Sequence, residues 1–251
     1  MPFVTAAGHA LEYEWIEGGQ PTLVFLHEGL GSIRQWRDFP ARVAAATECR
    51  ALVYNRYGYG NSDVLKELRV TVRFMHDEAL VALPELLAKL EIDSPVLVGH
   101  SDGASIALIY AGAGHAVRGL AVMAPHVFVE DHGLRSIERV KQQFETTDLA
   151  ERLGRYHRDA RRTFYLWSDA WLDPQFRRWN IEEYLPSISA PVLAIQGTDD
   201  EYGTMAQLES ICGKVNGTCE TLELAGCGHS PHRDQPDAVL AAIGRFVRGL
   251  A

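Results

Sequence analysis

The most restrictive part of this sequence is a pentapeptide, Gly99-His100-Ser101-Asp102-Gly103, which follows an apolar run and precedes a helix-like segment. A G-x-S-x-G pattern in that position predicts a sharp turn from strand to helix with Ser101 in a strained backbone conformation. Glycine is expected at both ends because a side chain there would collide with neighbouring backbone. The turn would raise the Ser101 hydroxyl above the sheet. It would also direct the Asp102 backbone N–H and the helix dipole towards any oxyanion formed beside that hydroxyl.

Strand-like and helix-like segments alternate along the rest of the chain, which is typical of a mostly parallel sheet with flanking helices. Residues 11–17 alternate with period two and predict a half-exposed antiparallel strand. Buried strands are predicted at Thr22–His27, Ala51–Asn55, Pro95–Gly99, Gly119–Ala124, Pro191–Gln196 and Thr218–Leu224. Helices are predicted near Trp36–Thr47, Val70–Leu90, Ser101–Ala113, Met205–Lys214 and Asp234–Arg248. Pro84 is expected to kink the second of these helices.

One long segment, from about Phe128 to Tyr184, contains no strand candidate. Apolar residues recur there at spacings of three and four and predict one apolar helical face: Leu149, Leu153, Tyr156, Ala160, Phe164, Trp167 and Trp171. A helical insertion between two strands of a parallel sheet would lie over the crevice at the strand ends. We therefore predict a core domain of residues 1–127 and 185–251 with a helical lid, or cap, at residues 128–184.

The charge balance limits the partners of the chain. Its 251 residues include 24 Lys and Arg against 33 Asp and Glu, a net charge of −9. This balance disfavours binding to nucleic acid or to an anionic membrane surface. The N-terminal residues resemble no signal peptide, and no apolar run is long enough to span a bilayer. These features predict a cytoplasmic protein that acts on a small molecule.

The four cysteines, Cys49, Cys212, Cys219 and Cys227, show no C-x-x-C spacing and no metal-binding pattern. We interpret them as reduced thiols, although Cys212 and Cys219 could pair in an oxidising compartment. No metal or cofactor is expected.

A serine hydroxyl needs a histidine to take its proton and a carboxylate to orient that histidine. His229 is the predicted base because it lies in a glycine-flanked loop between the last strand and the C-terminal helix, and His232 is the second choice. Asp200, three residues after Gly197, is the predicted acid. Asp199 and Glu201 remain alternatives because a strand end is predicted only to within a residue or so.

The first core strand ends in a glycine-rich loop, His27-Glu28-Gly29-Leu30-Gly31-Ser32. Such a loop could supply a second backbone N–H to an oxyanion, beside that of Asp102. Gly29 is the predicted donor and Glu28 is the other option.

The order nucleophile, acid, histidine at the strand ends resembles the α/β-hydrolase superfamily, in its serine-nucleophile branch of esterases, thioesterases and C–C hydrolases. The resemblance covers essentially the whole chain. It rests on residues 99–103, His27-Glu28-Gly29, residues 55–63 (Asn-Arg-Tyr-Gly-Tyr-Gly-Asn-Ser-Asp), Gly197 to Asp200, and Gly228-His229. Members often carry His-Gly after the first core strand, whereas this chain has Glu28 in the second place.

The resemblance implies a serine hydrolase that cleaves a small to medium carboxylic ester or thioester through an acyl-enzyme. Ser101, Asp200 and His229 would be catalytic. The aromatic residues of the lid favour a small to medium apolar acyl or aryl group, and Trp167 and Trp171 are the predicted contacts to it. Glu28, where the chain departs from the family pattern, would place an extra carboxylate near the substrate. Hydrolysis of a C–C bond in a β-diketone, or of a lactone, would use the same three residues. A receptor-like binding module with slow residual hydrolysis is an alternative of another class.

Overall fold

An eight-stranded sheet forms the centre of the protein in a computed structural model, which describes residues 1–66 and 71–250. The strands are β1 (Phe3–Ala6), β2 (His9–Ile16), β3 (Gly19–Leu26), β4 (Cys49–Tyr54), β5 (Val96–His100), β6 (Gly119–Met123), β7 (Val192–Gly197) and β8 (Cys219–Leu224). Their order across the sheet is β1-β2-β4-β3-β5-β6-β7-β8. β2 runs antiparallel to both of its neighbours, β1 and β4, and strands β3 to β8 run parallel to one another. This architecture confirms the predicted fold class.

Two apolar layers cover the two faces of the sheet, because successive side chains of a strand point to opposite sides. In β3, for example, Leu23 and Phe25 belong to one core and Val24 and Leu26 to the other. The helices are α1 (Phe39–Thr47), α2 (Phe74–Asp77), α3 (Leu83–Lys89), α4 (Asp102–Gly112), α5 (Asp131–Thr146), α6 (Leu149–Gly154), α7 (Ala160–Leu172), α8 (Ala206–Lys214), α9 (Pro231–Asp234) and α10 (Pro236–Gly249). Helices α1 and α10 cover the first face, and α3, α4 and α8 cover the second.

Several elements differ from their prediction. β1 was not predicted, and β8 is an edge strand with mostly exposed or half-exposed residues, so its prediction as a buried strand is wrong. The helix predicted over Val70–Leu90 begins at Phe74, while Val70 itself lies outside the described residues. A π-helical turn over Glu78–Ala82 interrupts this helix immediately before α3, in which Pro84 is the second residue. The helix predicted from Asp234 begins at Pro236 as α10, and a separate short helix, α9, precedes it.

The segment between β6 and β7 is helical, with α5, α6 and α7 followed by two short 3₁₀ turns. A single antiparallel bridge joins Phe128 to Asn180 at its base. The predicted apolar face extends over two helices, α6 and α7, where Leu153 and Phe164 pack with Phe144 of α5 in a small separate core. Whether residues 128–184 form a distinct lid stays a prediction.

The cysteines require a correction. Cys212 near the end of α8 and Cys219 at the start of β8 form a disulfide, because the chain turns back at once and brings their Cα atoms to 5.3 Å. The prediction of four reduced thiols is therefore wrong for this pair. The cysteines as a set no longer support the predicted cytoplasmic location. Cys49 and Cys227 are free and buried. Within residues 1–66 and 71–250, no helix has the length and hydrophobicity to cross a membrane.

Candidate active site

Ser101 lies at the turn between β5 and α4 in a backbone conformation with positive φ, at φ 53° and ψ −119°. This region is costly for a residue with a side chain. Close packing of α4 on β3 maintains the turn: a Cβ on Gly103 would lie 2.0 Å from the carbonyl oxygen of Leu26. The Ser101 N–H donates to the carbonyl of Met123 on β6, which ties the turn to the next strand.

Three of the predicted side chains meet at this turn. His229 Nε2 lies 2.9 Å from Ser101 Oγ, and His229 Nδ1 lies 2.8 and 2.9 Å from the two carboxylate oxygens of Asp200. Asp200 in turn accepts hydrogen bonds from the backbone N–H of Tyr202 at 2.8 Å and from Gln196 Nε2 at 2.6 Å. With Nδ1–H donated to Asp200, His229 Nε2 is free to accept the Ser101 hydroxyl proton.

The alternatives that the sequence left open occupy other positions. The Asp199 carboxylate is exposed and accepts a hydrogen bond from Thr198. Glu201 accepts the backbone N–H of His229 at 3.2 Å and not a ring nitrogen. His232 is 4% exposed and packs its ring 4.8 Å from that of Trp36. Of the three acids, Asp200 is the one whose carboxylate lies against the His229 ring.

The electrostatics of the pair suit proton transfer. Burial lowers the pKa of His229, but the charge and hydrogen bond of Asp200 outweigh burial and leave this pKa above its ordinary value. Burial raises the pKa of Asp200, but the charge and hydrogen bond of His229 and the Tyr202 N–H leave it below its ordinary value. The carboxylate therefore stays ionised, while the imidazole is a stronger base than a free histidine.

A cavity of about 220 Å³ opens beside Ser101 and His229. The three predicted substrate contacts, Glu28, Trp167 and Trp171, all line it. The predicted oxyanion donors Gly29 and Asp102 line it as well, together with Leu134 and Ile137 of α5. Trp167 packs directly on Gly29, where a Cβ would lie 2.1 Å from the indole nitrogen. Helices α5 and α7 thus form one wall of the cavity and the strand ends form the other.

The cavity wall is acidic. Its residues in the described part of the chain include four carboxyl groups, Glu28, Asp102, Glu130 and Glu201, and neither lysine nor arginine. Asp102 is 1% exposed, and burial raises its pKa to about 6 despite the Arg56 guanidinium 3.9 Å away. For Glu28 and Glu130, neighbouring donors and charges outweigh burial and hold the pKa below its ordinary value.

Two histidines at the site were not predicted. His100 is the last residue of β5, and its Nε2 lies 2.7 Å from the carbonyl oxygen of His229. His126 follows β6 and lines the cavity, with its ring centre 5.7 Å from that of His229. Burial, followed by the charge of His229, lowers the pKa of His126 to about 4, so this ring is neutral. Their positions at the carboxyl ends of parallel strands are the sequence signal that could have identified both residues.

Comparison with known proteins agrees with this fold. The chain belongs to the alpha/beta hydrolase family, whose sequence model matches residues 23–242. A search of curated protein sequences gives no match. Many solved structures match, and hydrolases are prominent among them. The protein is therefore an α/β-hydrolase enzyme.

Three of the similar structures illustrate the range of activities on this fold. A carboxylesterase of Nitrososphaera gargenis has a TM-score of 0.81 at 19% identity, with 99% of this chain and 98% of that chain covered. The enol-lactonase of Burkholderia xenovorans LB400 has a TM-score of 0.75 at 19% identity, with 98% and 100% covered. The meta-cleavage product hydrolase of Pseudomonas fluorescens IP01 has a TM-score of 0.73 at 17% identity, with 100% and 98% covered. At such identities the likeness shows a common fold.

Proposed function

We propose that the protein is a serine hydrolase that cleaves small to medium carboxylic esters or thioesters through an acyl-enzyme. The observation that carries this proposal is the unbroken line of contacts from Ser101 Oγ through the His229 ring to the Asp200 carboxylate. A serine in this arrangement can lose its proton as it attacks, since the base is in contact and is itself oriented.

In the proposed reaction, His229 Nε2 takes the Ser101 proton while Oγ bonds to the substrate carbonyl carbon. The Asp102 N–H, which has no intrahelical acceptor at the start of α4, stabilises the resulting oxyanion together with the Gly29 N–H. His229 then returns the proton to the departing oxygen or sulfur as the carbonyl re-forms. Water, deprotonated by His229, attacks the acyl-enzyme, and the acid product leaves with Ser101 restored.

The cavity supports the proposed substrate class. A volume of about 220 Å³ suits a small or medium group, and Leu134, Ile137 and Trp171 offer it apolar contacts. In this proposal residues 128–184 act as the lid, since α5 and α7 contribute those side chains. The acidic wall opposes a substrate that carries its own carboxylate near the ester.

The test is turnover of p-nitrophenyl acetate, butyrate and octanoate, and of matched thioesters, by the wild-type protein and by Ser101→Ala. We expect turnover of the shorter esters and its loss in Ser101→Ala by a factor of at least ~10³, because the acyl-enzyme can no longer form. A fluorophosphonate probe should label the wild type and not the variant.

Ser210→Ala is the matched control, because it removes a serine hydroxyl that contacts Glu182 away from the cavity. Its turnover should equal that of the wild type. Retained ester hydrolysis in Ser101→Ala would remove the nucleophile assignment. Absence of both turnover and labelling in the wild type would reject the proposed esterase.

A further inference from the structure

The backbone carbonyl oxygen of Glu28 accepts three hydrogen bonds. The donor nitrogens are His27 Nδ1 at 2.7 Å, Arg56 Nη2 at 2.9 Å and the backbone nitrogen of Gly31 at 3.0 Å. Three donors exceed the two lone pairs of a carbonyl oxygen. This carbonyl belongs to the same peptide unit as the Gly29 N–H, which is the proposed oxyanion donor. The contacts therefore converge on the one peptide of this loop that the proposed reaction uses.

Two adjacent strands bring the side-chain donors to this carbonyl. His27 directly follows β3, and Arg56 is the second residue after β4. Because β3 and β4 are parallel neighbours, their carboxyl ends lie at the same edge of the sheet. Both side chains are buried, with His27 0% exposed and Arg56 3% exposed. The Glu28 carbonyl consequently faces the interior of the protein.

The direction of the carbonyl sets the direction of the Gly29 N–H. A peptide unit is planar and trans, so its C=O and N–H groups point in opposite directions. With the Glu28 oxygen turned towards the buried side chains, the Gly29 N–H points away from them. It has no hydrogen-bond acceptor among the described residues, and Gly29 lines the cavity beside Ser101. This N–H is thus left for a ligand of the cavity.

The contacts of His27 determine its tautomer. The backbone N–H of Arg56 donates to His27 Nε2 at 3.2 Å, so Nε2 carries no proton. The ring proton is then on Nδ1, which donates it to the Glu28 carbonyl. Nδ1 lies 3.5 Å from Arg56 Nη2, which is the separation of two donors on one acceptor. Burial, followed by the charge of Arg56, lowers the pKa of His27 well below its ordinary value, in agreement with a neutral ring.

The position of Arg56 follows the carbonyl and not a carboxylate. A guanidinium that is buried to form an ion pair typically donates directly to both carboxylate oxygens. The Asp102 carboxylate lies 3.9 Å from Arg56 Nη2, and the Asp102 oxygen at this distance has no hydrogen-bond partner among the described residues. The same Nη2 makes its short contact, 2.9 Å, with the Glu28 oxygen.

We propose that His27 and Arg56 are positioning residues, which hold the Glu28–Gly29 peptide so that its N–H stabilises the oxyanion formed at Ser101. The guanidinium also strengthens this N–H as a donor, because a charge-assisted hydrogen bond to the carbonyl polarises the peptide. Neither side chain lines the cavity, so both act through the peptide. This inference rests on the proposed function, and the experiments below separate a failure of one from a failure of the other.

The first experiment uses the wild-type protein and an alkyl trifluoromethyl ketone. Ser101 Oγ would add to the ketone carbon, His229 would take the serine proton, and the ketone oxygen would become an oxyanion. Backbone NMR of ¹⁵N-labelled protein then follows the amide protons of Gly29 and Asp102. We expect both to move downfield when the adduct forms, and neither to move in Ser101→Ala.

This measurement requires no folded variant at position 27 or 56. An adduct in which the Asp102 amide moves and the Gly29 amide does not would overturn the inference and leave Ser101 as the nucleophile. A ketone that forms no adduct with the wild type would reject the proposed function, and the inference with it.

The second experiment compares ester hydrolysis by His27→Leu and His27→Asn. The two replacements are similar in shape and both remove the Nε2 acceptor, but the asparagine amide keeps a donor near the position of Nδ1. We expect kcat of His27→Leu to fall about 10- to 100-fold with KM nearly unchanged, and kcat of His27→Asn to fall much less. Affinity for the trifluoromethyl ketone should fall in the same ratio as kcat/KM, since both depend on the oxyanion.

His157→Leu is the matched control. His157 is a buried histidine with the same pair of contacts, because its Nδ1 accepts the Gly60 N–H and its Nε2 donates to the Leu30 carbonyl, each at 3.0 Å. Its replacement should lower stability and leave kcat close to that of the wild type. A structural role alone would give His27→Leu the same outcome.

Arg56→Met removes the other side-chain donor and should lower kcat and ketone affinity together, as His27→Leu does. Undiminished kcat in His27→Leu, or equal losses in His27→Leu and His157→Leu, would overturn the positioning role. Ser101-dependent turnover by the wild type would leave the proposed function intact in either case.

Discussion

Three consecutive acids follow β7, and their side chains point in different directions. Asp200 faces the His229 ring, Glu201 reaches the His229 backbone, and Asp199 faces solvent. The sequence could predict that an acid at this strand end would orient the histidine. It could not decide among the three, because a shift of one residue in a turn redirects the side chain completely.

The Asp200→Asn variant is expected to lose about 10³- to 10⁴-fold in kcat, because an amide neither enforces the His229 tautomer nor stabilises the imidazolium. The pH profile should change as well. Asp200 raises the pKa of His229, and the base must be neutral to act, so wild-type kcat/KM rises with pH through a midpoint above about 6.5. In Asp200→Asn that midpoint moves to lower pH.

Asp199→Asn and Glu201→Gln are the matched controls for this prediction. Asp199→Asn should leave kcat unchanged, since the carboxylate contacts Thr198 at the surface. Glu201→Gln should have a small effect, since an amide oxygen can still accept the His229 N–H. A collapse of kcat in either variant, with Asp200→Asn active, would reassign the orienting acid.

The contacts of Glu28 show a limit of sequence reasoning at the same scale. Its departure from the His-Gly pattern is visible in the sequence, and so is its place beside the site. Its side chain contacts His100 and Arg233, which are 72 and 205 residues away along the chain, and nothing local indicates that they converge. The position of His100 at the end of a parallel strand could have placed it near the site, but its contact with the carbonyl of His229, 129 residues later, could not be predicted.

Among the elements, the turn from β5 into α4 is the one that the sequence predicted best. Its two glycines are required because a Cβ at either position would collide with neighbouring backbone atoms. The sequence pattern is therefore sufficient to predict the turn. The helical segment between β6 and β7 was predicted less completely. The single apolar face that the spacing predicted is divided between α6 and α7. Phe164 stacks 3.8 Å from Phe144 in the helical core, whereas Trp167 and Trp171 reach the cavity. The packing of α5 on α7 decides which aromatics line the site.

Gly103→Ala tests the packing of the turn. The added Cβ would meet the backbone of β3 at 2.0 Å, and no side-chain rotation can relieve that contact. We expect a loss of unfolding free energy above the ~1–3 kcal/mol typical of overpacking, with loss of ester hydrolysis. Chemical denaturation monitored by circular dichroism measures the first effect.

Gly213→Ala is the matched helical control, because its added Cβ would meet nothing within 4 Å in α8. This variant should be unchanged or more stable by up to ~1 kcal/mol, since alanine favours a helix more than glycine does. Equal stability of the two variants would contradict the close packing of α4 on β3.

For the whole molecule, the alternation of strands and helices was sufficient to predict a parallel sheet with its site at the strand ends. The sequence could not predict whether a given strand lies in the centre of the sheet or at its edge. β8 is predicted as a buried strand from its sequence, yet it lies at the edge of the sheet with β7 as its neighbour on one side. The disulfide between Cys212 and Cys219 likewise follows from how tightly α8 returns into β8.

The net charge of the molecule and the carboxyl groups of its cavity affect which substrates can bind. The chain carries a net charge of −9, and four carboxyl groups line the cavity. Both features oppose the approach of an anion. We expect a p-nitrophenyl ester whose acyl chain ends in a carboxylate to have a kcat/KM at least ~10-fold below that of its methyl-capped analogue.

Ionic strength separates the two contributions to this penalty. The field of the whole molecule is screened over a Debye length of about 8 Å at 0.15 M salt and about 3 Å at 1 M, whereas the carboxyls of the cavity act at shorter range. Added salt should therefore raise kcat/KM of the anionic ester and leave that of the neutral ester unchanged, with a residual difference at high salt. Equal kcat/KM for the two esters at low salt would mean that a cation reaches the cavity during turnover, and Arg233, already paired with Glu28 at its edge, would be the first residue to replace.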